Sequence, residues 1–166
     1  DKLSFKGGIG YEEYMRAEPP AVNTNKTGST KAETFSFDGA GTWLMTSKLT
    51  LEVAGHNAIQ SVPHYDNTLD LVSVGSLSVV YSLTTRITLS MTGSYRRDDY
   101  LNPVLELDEY VIRLDERKAG LVRLDYIPPR KFLTVYVEGS YELATSTVEH
   151  YNYDQLRLAA GLSLRY

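Results

Sequence analysis

Few side chains in this chain could do chemistry, and their spacing argues against most of it. There are three histidines, His56, His64 and His150, and no cysteine, which removes thiolate nucleophiles, thiolate metal sites and disulfide staples together. His64 stands close to Ser61 and Asp66, a grouping whose residue types could supply a general base. A solvated loop histidine is the favoured reading of the same spacing. No P-loop, dinucleotide fingerprint, nucleophile elbow or His-Glu-x-x-His pattern accompanies it. No residue is therefore assigned a catalytic or metal-binding role, and no cofactor is expected.

The remaining chemistry lies in charges that alternate with apolar residues. Lys6, Glu12, Glu52, Arg96, Asp98, Arg123, Asp125, Glu138, Glu142, Arg157 and Arg165 occupy one register, with Ser and Thr between. Side chains of a β-strand point alternately to its two faces, so a period of two gathers both signs of charge on one side. If that side is enclosed, buried charge is tolerable only when paired. Lys6, Glu52, Arg123, Asp125, Glu138 and Arg157 are then expected to form a lumen charge network. If it faces water, the same residues merely coat an exterior.

The elements that would position these charges can be read from the alternation and its breaks. Eight β-segments are predicted, approximately 2–16, 33–45, 48–58, 68–83, 86–98, 116–127, 132–144 and 152–166. All six prolines (Pro19, Pro20, Pro63, Pro103, Pro128, Pro129) fall between them, where no ladder hydrogen bond is lost. Connections alternate in length. Thr46-Ser47-Lys48, Thr84-Thr85 and Pro128-Pro129-Arg130 are tight, while 17–32, 59–67, 99–115 and 145–151 are longer and polar. Continuing the sixth strand upward would put Glu116 and Lys118 on the apolar face in mid-strand. Its membrane part is therefore started near Arg117, with 104–115 expected to extend as strand into the third loop.

A weak internal repeat has one hairpin as its unit. Thr50-Leu51-Glu52-Val53-Ala54-Gly55 recurs as Thr88 to Gly93 and Thr134 to Gly139, and Gly75-x-Leu77-x-Val79-x-Tyr81 recurs as Gly120 to Tyr126 and Ala160 to Tyr166. Aligning the repeats sets aromatic residues at two depths. Trp43, Tyr81, Tyr126 and Tyr166 lie just before the short turns or the end of the chain. Tyr11, Tyr95 and Tyr141 lie at the far ends of three strands, and Asn57 breaks the series in a fourth. Two such girdles suit the headgroup levels of a bilayer; ordinary cross-strand aromatic pairing in a soluble barrel is the alternative.

Length and composition bound these readings. With 166 residues the chain fits a single domain, 1–166. A formal charge of −4 offers no basic field for nucleic acid. No run of apolar residues is long enough for a transmembrane helix, and the negative mean hydropathy does not exclude a barrel, whose strands alternate. The chain opens at Asp1 without a methionine or apolar leader, the start expected of a mature exported form or of an artificially begun chain. The fold expected is all-β, an eight-stranded antiparallel up-and-down transmembrane β-barrel with both ends on the short-turn side.

In architecture the chain resembles the OmpA/OmpX-type small outer-membrane barrels over its whole length. Its ending, Leu158-Ala159-Ala160-Gly161-Leu162-Ser163-Leu164-Arg165-Tyr166, resembles the C-terminal assembly signal of that family. The resemblance implies recognition of Leu158, Leu162, Leu164 and Tyr166 by the barrel-assembly machinery. From about Tyr95 to Tyr166 the chain is also similar to barrels associated with exopolysaccharide production. Tyr95-Arg96-Arg97-Asp98-Asp99-Tyr100, Tyr126-Ile127-Pro128-Pro129-Arg130 and Tyr151-Asn152-Tyr153-Asp154 carry that likeness, though those barrels are usually larger.

The expected function is that of a non-enzymatic protein of the bacterial outer membrane. It would bind at the cell surface, stabilise the envelope or serve exopolysaccharide export. Its partners would be outer-membrane lipid and lipopolysaccharide, the assembly machinery, and polysaccharide or envelope proteins. Two alternatives stay open: a lipid A-modifying enzyme of the outer leaflet using His64 and Asp66, and a soluble lipocalin-like ligand-binding barrel.

Overall fold

The structure, a computed structural model, describes residues 2–15, 31–61, 69–101, 104–106, 109–129 and 133–164. Among the described residues ten strands follow one another: β1 (Leu3–Met15), β2 (Lys31–Leu44), β3 (Leu49–Ser61), β4 (Leu69–Ser82), β5 (Ile87–Tyr100), β6 (Val104–Glu106), β7 (Glu109–Val111), β8 (Leu114–Tyr126), β9 (Leu133–Ser146) and β10 (Tyr153–Leu164). Eight of them form one antiparallel sheet in the order β1-β2-β3-β4-β5-β8-β9-β10. This is the up-and-down meander the alternation predicts. Each strand of this sheet pairs with the next one along the chain, except that β6 and β7 intervene between β5 and β8.

Two of the tight turns close in the same way. The Thr46 amide donates to the Leu49 carbonyl, and the Thr46 hydroxyl oxygen accepts from the amides of Lys48 (3.2 Å) and Leu49 (3.0 Å). Thr84 repeats this with Ile87, Arg86 (3.2 Å) and Ile87 (3.1 Å). A threonine at the start of each turn thus satisfies amides that the ladder leaves open. At the other end of the sheet a short 3-10 turn, Glu149–Tyr151, links β9 to β10.

One expectation is corrected. Residues 104–115 do not extend the sixth main strand as a single element. β6 and β7 pair with each other in a separate two-stranded ribbon, and the long strand starts at Leu114. The ribbon satisfies its own backbone, while the Tyr100 amide, at the end of β5, bonds to the Arg113 carbonyl at 3.1 Å and marks where pairing with β5 stops. Glu116 and Lys118 are therefore not in mid-strand: Lys118 is the register partner of Tyr95, and the Tyr95 hydroxyl donates to Glu116 at 3.0 Å.

The sheet runs open from β1 to β10, and these two strands do not hydrogen-bond to each other. Its registers still fix a stagger. Moving directly across the strands from Gly7, the row passes Gly39, Gly55, Gly75, Tyr95, Lys118 and Leu143 to reach Asp154.

Candidate functional site

The two sides of the sheet differ in kind. Leu3, Phe5, Ile9, Phe35, Phe37, Val53, Leu77, Met91, Val122, Leu124, Val137, Leu158 and Leu162 all stand on one side, and all are exposed. Ile9 retains 89% of its surface and Leu158 80%. Every exposed residue of β4, β8 and β9 belongs to this apolar side; the alternating polar positions are half-buried or buried. In these three strands the polar side is the more sheltered of the two. The outer strands β1 and β10 are exposed on both sides almost throughout, as the margins of an open sheet must be.

The aromatic residues bound the apolar side. Trp43, Tyr81 and Tyr126 stand at one end, while Tyr11, Tyr95 and Tyr141 stand at the other. Tyr126 is the partner of Ile87, so the step from Ile87 to Tyr95 spans the interval along β5. Eight residues at about 3.4 Å each cover about 27 Å along the strand. Beyond Tyr11 and Tyr95 the same side turns polar, with Glu13, Glu33, Arg97, Asp99 and Glu116, and Lys118 stands level with Tyr95. Tyr11 packs edge-on to Phe35 with ring centres 5.5 Å apart, and its hydroxyl donates to Glu33. Tyr166 lies outside the described residues.

On the polar side three of the six sequence-chosen charges meet. The Arg123 guanidinium bonds Asp125 at 2.8 Å on its own strand and Glu138 at 3.3 Å on β9. It also lies 4.0 Å over the ring of Tyr136. Gly161 faces that ring from β10, and a Cβ there would come within 2.5 Å of the Tyr136 hydroxyl oxygen. Any larger residue here requires the Tyr136 ring to shift. Lys6 and Glu52 are exposed on β1 and β3, and Arg157, on β10, donates to Gln155 at 2.8 Å. The open sheet does not bring these three to the Arg123 group.

The end of the sheet beyond Tyr11 and Tyr95 holds the densest polar packing. Sequence reasoning did not single it out as a site. Arg113 and Asp115 form a buried pair at 2.6 Å. The guanidinium is stacked 3.4 Å from the Tyr151 ring centre and 4.9 Å from that of Tyr100. Asp98, 2% exposed, is held by Arg96 at 2.7 Å. Burial opposes the Asp115 charge, but bonds from Arg113 and Ser146 outweigh it and hold the carboxyl below its usual range. Burial raises the Tyr100 hydroxyl, against the pull of Arg113. A cavity of about 190 Å³ opens beside the pair, lined by Arg113, Arg117, His150, Tyr151, Asn152 and Tyr153.

His64 and Asp66 lie outside the described residues, as do residues 16–30 and Arg165. His56 is an exposed residue of β3, and His150 stacks on Tyr151 with ring centres 4.1 Å apart. No group of three or more His, Cys, Asp or Glu side chains suited to a metal ion occurs among the described residues, and no helix there is long and apolar enough to cross a membrane. Comparison with protein-family models, curated proteins and solved structures finds no match to this chain.

Proposed function

We propose that this protein is an integral, non-enzymatic barrel of the bacterial outer membrane, with its apolar side in hydrocarbon and its outer-end cluster at the cell surface. One observation supports the reading: along β4, β8 and β9 large apolar side chains form the exposed side, while Arg123, Asp125 and Glu138 alternate with them on the half-buried side. Water would penalise that arrangement by about 25 cal/mol for each Å² of apolar surface left uncovered. Exposed apolar patches on soluble monomers rarely exceed a few hundred Å². A lipocalin-like barrel would turn the same sheet inside out.

Hydrocarbon also forbids unpaired strand edges, so β1 and β10 must find partners in the membrane. The closure we propose joins them to each other. Pairing Glu12 with Arg157 sets opposite charges across the seam and brings Leu158 beside Tyr11, Ala160 beside Ile9 and Leu162 beside Gly7. Asp154, level with Gly7 across the sheet, then meets Met15, a stagger of about eight residues over eight strands. With strands about 4.8 Å apart and a rise of about 3.3 Å, this gives a tilt of about 35°, within the range of closed barrels. Sliding the seam by a further two residues would place Lys6 against Arg165, a repulsive pair.

An eight-stranded barrel has room for its own side chains only, so the charge network plugs the lumen and the outer end becomes the working surface. The protein would act there as a surface-binding or envelope-stabilising module, including service to exopolysaccharide export. Folding into detergent micelles tests the placement. β-sheet circular dichroism together with heat-modifiable gel migration is expected, and monomeric folding in water without detergent would refute it.

A further inference from the structure

Four carboxylates of the sheet carry their own arginine two residues earlier on the same strand or its lead-in: Arg96 with Asp98, Arg97 with Asp99, Arg113 with Asp115, and Arg123 with Asp125. Asp70 of β4 has no such partner. It is 6% exposed, and its Oδ1 is buried with no hydrogen-bond donor among the described residues. The groups around it deepen the problem. On β5 stand Asp98, Asp99, Arg96 and its register partner Tyr100, and across β5 stands Asp115 with Arg113. On β3 its partner is the neutral Gln60. Three carboxylates thus act on Asp70 against one nearby guanidinium, Arg96, that is already bonded to Asp98.

We propose that Asp70 is the proton-binding group of a pH-responsive latch at the outer end of the sheet. With its proton in place, the carboxyl sits in its buried position without a charge, and β4, β5 and β8 stay joined. The Leu101 amide then bonds the Leu69 carbonyl at 2.8 Å, and the Tyr100 amide bonds the Arg113 carbonyl. When the proton leaves, an unpartnered anion faces Asp98 and Asp115 in a water-poor site, and opening this end hydrates it. Burial, then Asp98, raises the Asp70 carboxyl to about 7. The folded state therefore holds this proton more tightly than the open state. The closed form is fully favoured below the ordinary carboxyl range and loses that advantage as pH rises through about 7. The residues involved stand beyond the aromatic girdle, so the latch does not depend on the membrane reading.

Amide hydrogen exchange of the folded protein in micelles tests it, read as protection factors at Leu101 and Tyr100. Protection is expected to fall roughly tenfold per pH unit between about pH 5 and 7 and to level off above. Asp70→Asn should remove this dependence, and His150→Asn, which changes the imidazole nearest the cluster, should leave it in place. Constant protection in the unaltered protein, persistence in Asp70→Asn, or loss only in His150→Asn would overturn the latch. Carbon-13 titration of the Asp70 carboxyl in the unaltered protein decides the matter even if the variant does not fold. A midpoint near neutrality supports the latch, and one in the ordinary carboxyl range refutes it.

Discussion

At the scale of single residues, the outer-end cluster shows how much depends on completing each charge pair. Arg113 is buried against Asp115 and between two tyrosine rings. Removing it as Arg113→Ala would leave the buried Asp115 carboxylate without its charge partner, a loss of about 3–5 kcal/mol. Urea unfolding should show a loss of that size, and the double change Arg113→Met with Asp115→Leu should recover most of it. The Asp115 contribution has the opposite pH sense from that of Asp70. Its depressed carboxyl stabilises the fold above the ordinary carboxylate range, and the contribution disappears as acid drives the pH down through the folded-state value. Gly161→Ala drives a methyl group into the Tyr136 ring beneath Arg123, and overpacking of this kind costs about 1–3 kcal/mol. The alternation of Arg123, Asp125 and Glu138 made their shared face legible in the sequence. The burial of Asp70, Arg113 and Asp115 was not legible, because it arises where three strands distant in the chain converge, and no local period encodes that.

Among the elements, period-two patterning made the main strands readable, because shifting a strand by one residue would exchange its two faces. The third loop misled for a physical reason. Val104, Leu105, Tyr110 and Val111 favour strand, but strand propensity does not say which strand will be the partner, and these residues pair among themselves. The threonine turns were readable in principle, since Thr46-Ser47-Lys48-Leu49 and Thr84-Thr85-Arg86-Ile87 share one plan. Thr84→Val keeps the shape and removes the acceptor for two amides. It should lower stability by about 1 kcal/mol, measurable as a shift in the urea midpoint. The closing seam makes a sharper prediction, helped by the absence of native cysteine. Ile9→Cys with Ala160→Cys should oxidise to an intramolecular disulfide in the folded protein. Ile9→Cys with Leu162→Cys, the register two residues away, should not. A disulfide-linked dimer from the first pair would mean that the edges join between two copies instead.

For the molecule as a whole, the central question is which solvent wets each side of the sheet. The sequence showed that the sides differ but not which one faces outward, since alternation is symmetric to that choice. The burial pattern favours one answer, since β8 and β9 keep Arg123, Asp125 and Glu138 half-buried and leave Val122, Leu124 and Val137 exposed. The most direct measurement places single nitroxide labels at successive positions from Ala119 to Tyr126 of β8, in protein reconstituted into lipid bilayers. Accessibility to dissolved oxygen and to a water-soluble nickel complex is then compared at each site. The account predicts that Gly120, Val122 and Leu124 are reached by oxygen and shielded from nickel. Leu121 and Arg123, between them, should be shielded from hydrocarbon. Nickel reaching Val122 and Leu124 freely, or the two sets exchanging roles, would contradict it.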